Sequence, residues 1–166
     1  MKYARLLSVA AIAIWSPAAA ANDLLVLGYL ENAQVGPTDL QMRAKLDTGA
    51  DTSSLGYNRI HHFEKDGAKW VRVQARNVEG KIAVVERRIV RISTVKRHGA
   101  PSVDRPVVLI GLCVGNIYRI TEVSLADRSD FSVPLLIGRS FLAGTAIVDS
   151  SRTYTTRPNC NKGQAQ

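Results

Sequence analysis

From Leu24 onward the chain is a series of short apolar or alternating runs, most of them stopped by a glycine-bearing turn, and this punctuation constrains the fold most. Trp70-Val71-Arg72-Val73-Gln74-Ala75 alternates with period two, as a strand buried on one face does. Asp66-Gly67 precedes it and supplies a turn able to take positive φ. Glu79-Gly80 marks a second turn, with a strand expected from Ile82 to about Ile92. Val107 to Leu112 and Tyr118 to Leu125 flank Gly115-Asn116 as a hairpin. Leu24 to Leu27 and Leu40 to Leu46 add two more runs, separated by Gly36-Pro37. Only Ser140 to Ala143, after Gly138, suits a short helix. With no repeat or low-complexity linker, 166 residues suit one domain, since compact domains hold ~100–200. The expectation is a mostly β single domain, a small barrel or folded sheet.

Residues 1–21 read as an export signal. Lys2 and Arg5 open it, Leu6 to Trp15 form an apolar stretch broken by Ser8, and Pro17 and Ala18 to Ala21 shape a cleavage site. That stretch is shorter than the ~20 residues a membrane span needs. Cleavage leaves a mature domain over 22–166, with its core at about 24–150 and a tail at 151–166 that could be flexible. Losing Lys2 and Arg5 lowers the net charge from +8 to +6. The expected address is periplasmic or secreted, with no stable membrane insertion after cleavage.

An oxidising address would let Cys113 and Cys160 pair. The apolar run around Cys113 equally suits a small buried thiol, so both readings stand. Two cysteines exclude a four-cysteine zinc cage, and the lack of a Walker-type loop excludes an ATP-driven enzyme in this chain. The basic residues are scattered, and Arg87-Arg88 and Lys96-Arg97 sit in strand-like sequence without a recognition motif. No nucleic acid partner is expected. His61 and His62 would point to opposite faces of a strand, and neither they nor His98 have diagnostic ligand spacing beside Glu64 and Asp66. No metal and no cofactor are expected.

The chemically loaded segment is Ala44-Lys45-Leu46-Asp47-Thr48-Gly49-Ala50-Asp51-Thr52-Ser53-Ser54-Leu55. A strand delivers Asp47 to a tight turn, where Gly49 permits close backbone approach and Thr48 offers a hydroxyl to lock the loop. Pro134-Leu135-Leu136-Ile137-Gly138-Arg139-Ser140-Phe141-Leu142 follows, Gly138 lying 91 positions after Asp47. The first segment resembles the Asp-Thr-Gly signature of aspartic proteases of the retroviral, single-domain type. The second resembles the apolar-apolar-Gly-Arg segment before their C-terminal helix. With Asp66-Gly67-Ala68-Lys69-Trp70-Val71-Arg72-Val73 and Leu125-Ala126-Asp127-Arg128-Ser129, roughly Val26 to Asp149 resembles a bacterial retropepsin-like family.

That resemblance implies a retropepsin-like acid-protease barrel with one short C-terminal helix and Asp47 as catalytic carboxylate. Thr48, Gly49, Ala50, Asp51, Gly138 and Arg139 would support the loop, Arg139 pairing with Asp51 in a bidentate, partly buried contact. The family is often labelled an ATP-dependent zinc protease, which the absence of ATP and His-Glu-x-x-His motifs contradicts. Gly56-Tyr57 stands where such proteins commonly carry His-Ala, and Ser140 where a charged or amide residue is common.

Amide hydrolysis by aspartates needs two carboxylates, one ionised to activate water and one protonated to polarise the carbonyl. The chain has one Asp-Thr-Gly, and Asp149-Ser150-Ser151 lacks the glycine, so Asp149 reads as a solvated or turn residue. A two-fold homodimer would set Asp47 opposite its twin. The expected activity is therefore an exported aspartic endopeptidase acting on a peptide or protein substrate. A non-catalytic peptide- or partner-binding module, with Asp47 as a structural turn residue, is the alternative, and a zinc metallopeptidase the third. Asn77 to Lys81 and Arg97 to Ser102 are the candidate flaps.

Overall fold

The computed structural model describes residues 23–97, 99–128 and 131–160; the segment expected to be an export signal and His98 lie outside them. The elements are β1 (Leu25–Val35), β2 (Leu40–Leu46), β3 (Ser53–Gly56), β4 (Arg59–Lys65), β5 (Ala68–Arg76), β6 (Ile82–Arg97), β7 (Ala100–Val114), β8 (Ile117–Ala126), β9 (Leu135–Ile137), α1 (Arg139–Leu142) and β10 (Ala146–Thr153). Among the described residues one short helix sits among strands, as expected. No helix among the described residues is long and apolar enough to cross a membrane.

The strand order is β10-β1-β2-β9-β3-β8-β7-β6-β5-β4, and β1 also pairs with β7. That extra pairing closes β1, β2, β9, β3, β8 and β7 into a ring. Leu112, Cys113 and Val114 of β7 meet Val35, Gln34 and Ala33 of β1 there. The earlier half of β7 pairs with β6, so β6, β5 and β4 extend from the ring as an antiparallel wing. β10 adds in parallel to the start of β1. Closure removes two sheet edges and leaves β10 and β4 at the margins.

Alternation fills the ring. Leu40, Met42, Ala44 and Leu46 of β2 are buried while the residues between them are exposed. Ile110, Leu112 and Val114, with Val123 and Leu125, complete the core, and Phe141 and Leu142 of α1 plug it. Burying a side chain the size of Phe141 contributes about 1.5–3 kcal/mol, which explains how a four-residue helix stays docked.

The hairpin about Gly115-Asn116 and the turn at Asp66-Gly67 form where expected, with φ of 51° and 69° in the latter. Other boundaries differ. β1 runs on to Val35 beyond the expected Leu27, because Glu31 is buried in mid-strand and breaks the apolar pattern. β6 continues past Ile92 to Arg97, and β4 forms where no strand was expected because exposed charges mask its alternation. The tail is also fixed as far as Cys160. Residues 151–153 belong to β10, Tyr154 donates its N–H to Leu30, and Asn159 donates to Gly115.

Candidate active site

β2 ends at Leu46, which pairs with Ile137 of β9, and the next residue is Asp47. The N–H of Asp47 donates to the Ile137 carbonyl at 2.8 Å, so the sheet fixes the backbone that presents the carboxylate. Oδ1 accepts the Gly49 N–H at 3.0 Å, and Lys45 Nζ lies 3.7 Å from Oδ2. Asp47 remains 28% exposed at the side chain, so solvent or a ligand can reach it. Thr48 and Gly49 form the exposed crest.

The start of α1 straps this loop down. Arg139 N–H donates to the Ala50 carbonyl at 2.8 Å and Ser140 N–H to Asp51 at 3.0 Å. Gly138 N–H donates to Ser53 Oγ at 3.1 Å. A side chain at Gly138 would place its Cβ 2.7 Å from the Asp51 carbonyl oxygen, so this approach requires glycine. The Arg139 guanidinium donates to the carbonyls of Thr48 (3.2 Å) and Gly49 (2.9 Å).

Asp47, Thr48, Gly49, Ala50, Asp51, Gly138 and Arg139 therefore come together, but the expected bidentate pair does not form. Arg139 reaches Asp51 through one 3.4 Å contact, and the two side chains are 52% and 81% exposed. The geometry gives the reason: Nη1 is committed to two backbone carbonyls. At that exposure the ion pair is worth at most about 1 kcal/mol, so the backbone bonds carry the loop's shape.

Sequence reasoning missed several neighbours. Lys45 sits two residues before Asp47, on the same face of the strand, a period-two signal that was legible. Arg91 of β6 had no local signal. It pairs with Glu122 of β8 at 2.6 Å and reaches Thr52 Oγ1 at 3.4 Å, tying wing, ring and loop together. The Glu122 hydrogen bond holds the Arg91 pKa above its ordinary value.

A cavity of about 370 Å³ is lined by Gly56, Asn58, Arg76, Asn77, Arg128 and Phe131 among others. Burial, and then the charge of Arg105, push the Arg128 pKa down, while the charge of Asp47 pulls it up. Arg128 thus lies within electrostatic reach of Asp47, and its guanidinium sits 4.2 Å from the Phe131 ring centroid. A Cβ at Gly56 would come within 3.0 Å of Arg128 Cβ, so glycine keeps that wall open.

Asp149 lies on β10, its Oδ1 accepting Ser151 N–H and Oγ at 2.9 and 2.7 Å. These bonds hold its pKa below the ordinary value. Cys113 and Cys160 form a disulfide beside the Gly115 turn. His61 and His62 are exposed on β4, and the described residues hold no cluster of three metal-ligating side chains.

Residues 26–159 match the family described as retropepsin-like aspartic endopeptidase RimB. A crystal structure from Legionella pneumophila, of the protein Lpg0085 with unknown function, superposes with TM-score 0.68 at 34% identity, covering 80% of this chain and 98% of that one. Among curated sequences, a "Probable alpha-L-glutamate ligase" of Shewanella pealeana is 24% identical over 116 residues, 68% of this chain and 25% of the ligase. A protein of the same description from Parasynechococcus marenigrum is 28% identical with the same coverage. The chain spans about a quarter of the length of these curated relatives.

Proposed function

The chain belongs to the RimB-like family of retropepsin-like aspartic endopeptidases, and from that premise we propose that it hydrolyses peptide bonds with Asp47 as its catalytic carboxylate. The observation that carries the reading is the accessible Asp47 carboxylate on a loop strapped by backbone bonds to α1. Such a group is held in place yet can meet a substrate.

One carboxylate cannot serve as both base and acid at once. A two-fold homodimer supplies the second, two copies of Asp47 facing each other across the axis. At close range two carboxylates do not both ionise easily, so one proton is shared between them. The ionised member takes a proton from water, which attacks the carbonyl carbon. The protonated member donates to the carbonyl oxygen, and collapse of the tetrahedral intermediate sends a proton to the leaving nitrogen. Thr48, exposed at the crest, would bond across that axis.

The long β6–β7 arm beyond the Arg91–Val107 pair is the better candidate cover. Its base is tied to the loop through Arg91 and Thr52, whereas Asn77 of the other candidate turn is bound to the β2 backbone at Gln41. The cavity is lined by the cations Arg76 and Arg128 as well as by Asp127, and an acidic side chain of the substrate would meet the two arginines. The relatives named as glutamate ligases carry this module in a quarter of their length, which makes glutamate-bearing peptides the first substrates to try. The Cys113–Cys160 disulfide supports an exported address.

The binding-module reading keeps one observation in its favour: Asp47 Oδ1 caps Gly49 N–H, as a structural turn residue would. The test is cleavage of a glutamate-rich and a mixed peptide pool by the chain from Asn22 between acidic and neutral pH. Wild type and Asp47→Asn run side by side, each with and without a chelator. Cleavage lost in the variant and kept with chelator is the expected result. Cleavage by both proteins sinks the role of Asp47, loss with chelator selects the metallopeptidase, and silence from a folded wild type selects the binding module.

A further inference from the structure

We propose that the free margin of β4 is an exosite where an extended acidic polypeptide adds as a further strand. The inference deepens the reading of the chain as acting on extended peptides and rests on it. Among the described residues β4 pairs with β5 alone and ends the sheet, so one row of its backbone donors and acceptors is open there to a partner strand.

The pairing register fixes which side chains such a strand would meet. Val71, Val73 and Val85 are buried on the inner face of the wing. The opposite face therefore carries Arg59, His61, Phe63 and Lys65 of β4, beside Trp70 and Arg72 of β5. The rings hold the cations in place. Lys65 Nζ lies 5.2 Å from the Trp70 centroid, and the Arg72 guanidinium carbon 5.8 Å from that of Phe63. Arg72 is also ion-paired with Glu86 of β6 on this same face, so the ring-held cation that meets an incoming anion is Lys65, which loses less freedom for being pre-set.

The same charges argue against a second copy as occupant. Antiparallel pairing of two β4 strands about His62 would set Arg59 against Lys65 at both ends. Like charges directly opposite are destabilising, and opposite charges stabilise. An incoming strand with acidic residues facing Arg59 and Lys65 has the complementary pattern. The margin also continues the site. Arg59 follows Asn58, which lines the cavity shared with Arg128, so a chain leaving that cavity reaches β4 directly.

The molecule carries its own reporter, because Trp15 falls in the export signal and Trp70 is the other tryptophan. The probe is an octapeptide alternating glutamate and threonine, titrated against the Asp47→Asn chain from Asn22 while Trp70 emission is followed. We expect saturable binding, weakened about tenfold by the exposed pair Arg59→Glu and Lys65→Glu, with a lysine–threonine octapeptide gaining instead. A peptide N-methylated at every second amide should lose binding, since strand addition needs those N–H groups. Equal binding of the methylated peptide, or indifference to the charge reversal in a variant with an unchanged melting curve, overturns the proposal. So does self-association that the charge reversal abolishes, or capture on phosphatidylglycerol vesicles without peptide binding. Peptide binding without hydrolysis by wild type leaves the exosite standing and sinks catalysis. Hydrolysis without binding at β4 does the reverse.

Discussion

Glu31 lies in β1 and Asp47 just past the end of the neighbouring β2, and the protein treats the two carboxylates in opposite ways. Glu31 stands opposite Ala44 of β2 and is fully buried. Its oxygens accept the N–H groups of Gly28, Thr155 and Thr156 and the hydroxyls of Thr155 and Thr156. Burial alone would push its pKa up, but the Thr155 hydroxyl and the backbone donors outweigh it and leave the pKa lowered. Asp47, three residues beyond Ala44, has one backbone donor, a distant lysine and access to solvent. A saturated carboxylate can only hold structure. One with spare acceptor capacity on a fixed loop can do chemistry.

The sharpest way to break this contrast is to remove each charge. Asp47→Asn should lower peptide hydrolysis by about 10³-fold or more, from the loss of general acid–base catalysis, while the melting temperature barely moves. A large drop in stability would mean that Asp47 is structural after all. Opening the clasp around Glu31 should do the opposite. Cys113→Ser with Cys160→Ser removes a crosslink across a sequence separation of 47, worth about 4 kcal/mol on loop entropy, and urea unfolding should show it.

Glu31→Ala strands five donors and should cost about 3 kcal/mol, with activity per folded molecule preserved at low temperature. The pH dependence follows with its sign. A lowered folded pKa means that the Glu31 contribution is present above the unfolded value of about 4.3. It is lost as pH falls through the folded pKa. The wild-type and Glu31→Gln melting curves should therefore draw together as pH falls below the unfolded value. Arg139→Lys should have the smallest effect, about tenfold in kcat/KM with little change in stability, because a single ammonium cannot hold the Thr48 and Gly49 carbonyls and also reach Asp51, as the two terminal nitrogens of the guanidinium do.

Legibility followed locality. The Asp47 loop, Gly138 and the β7–β8 hairpin were readable because adjacent residues define them. Arg91 with Glu122, and Arg128 beside the cavity, were not, since each contact joins elements distant in sequence. The bidentate Arg139–Asp51 pair was expected from the family resemblance, and the geometry redirected the guanidinium to carbonyls.

The sequence by itself determined that this chain is β, where its turns lie, and which aspartate and arginine would share a loop. The first two follow from side-chain period and from torsions that only certain residues allow, and the third from the family resemblance. Tertiary structure decided that β1 meets β7 to close the ring, that Glu31 is buried and saturated by the tail, and that β4 is left at the margin. The reason is physical: pairing between distant strands is set by how the whole core closes, and no residue carries that information alone.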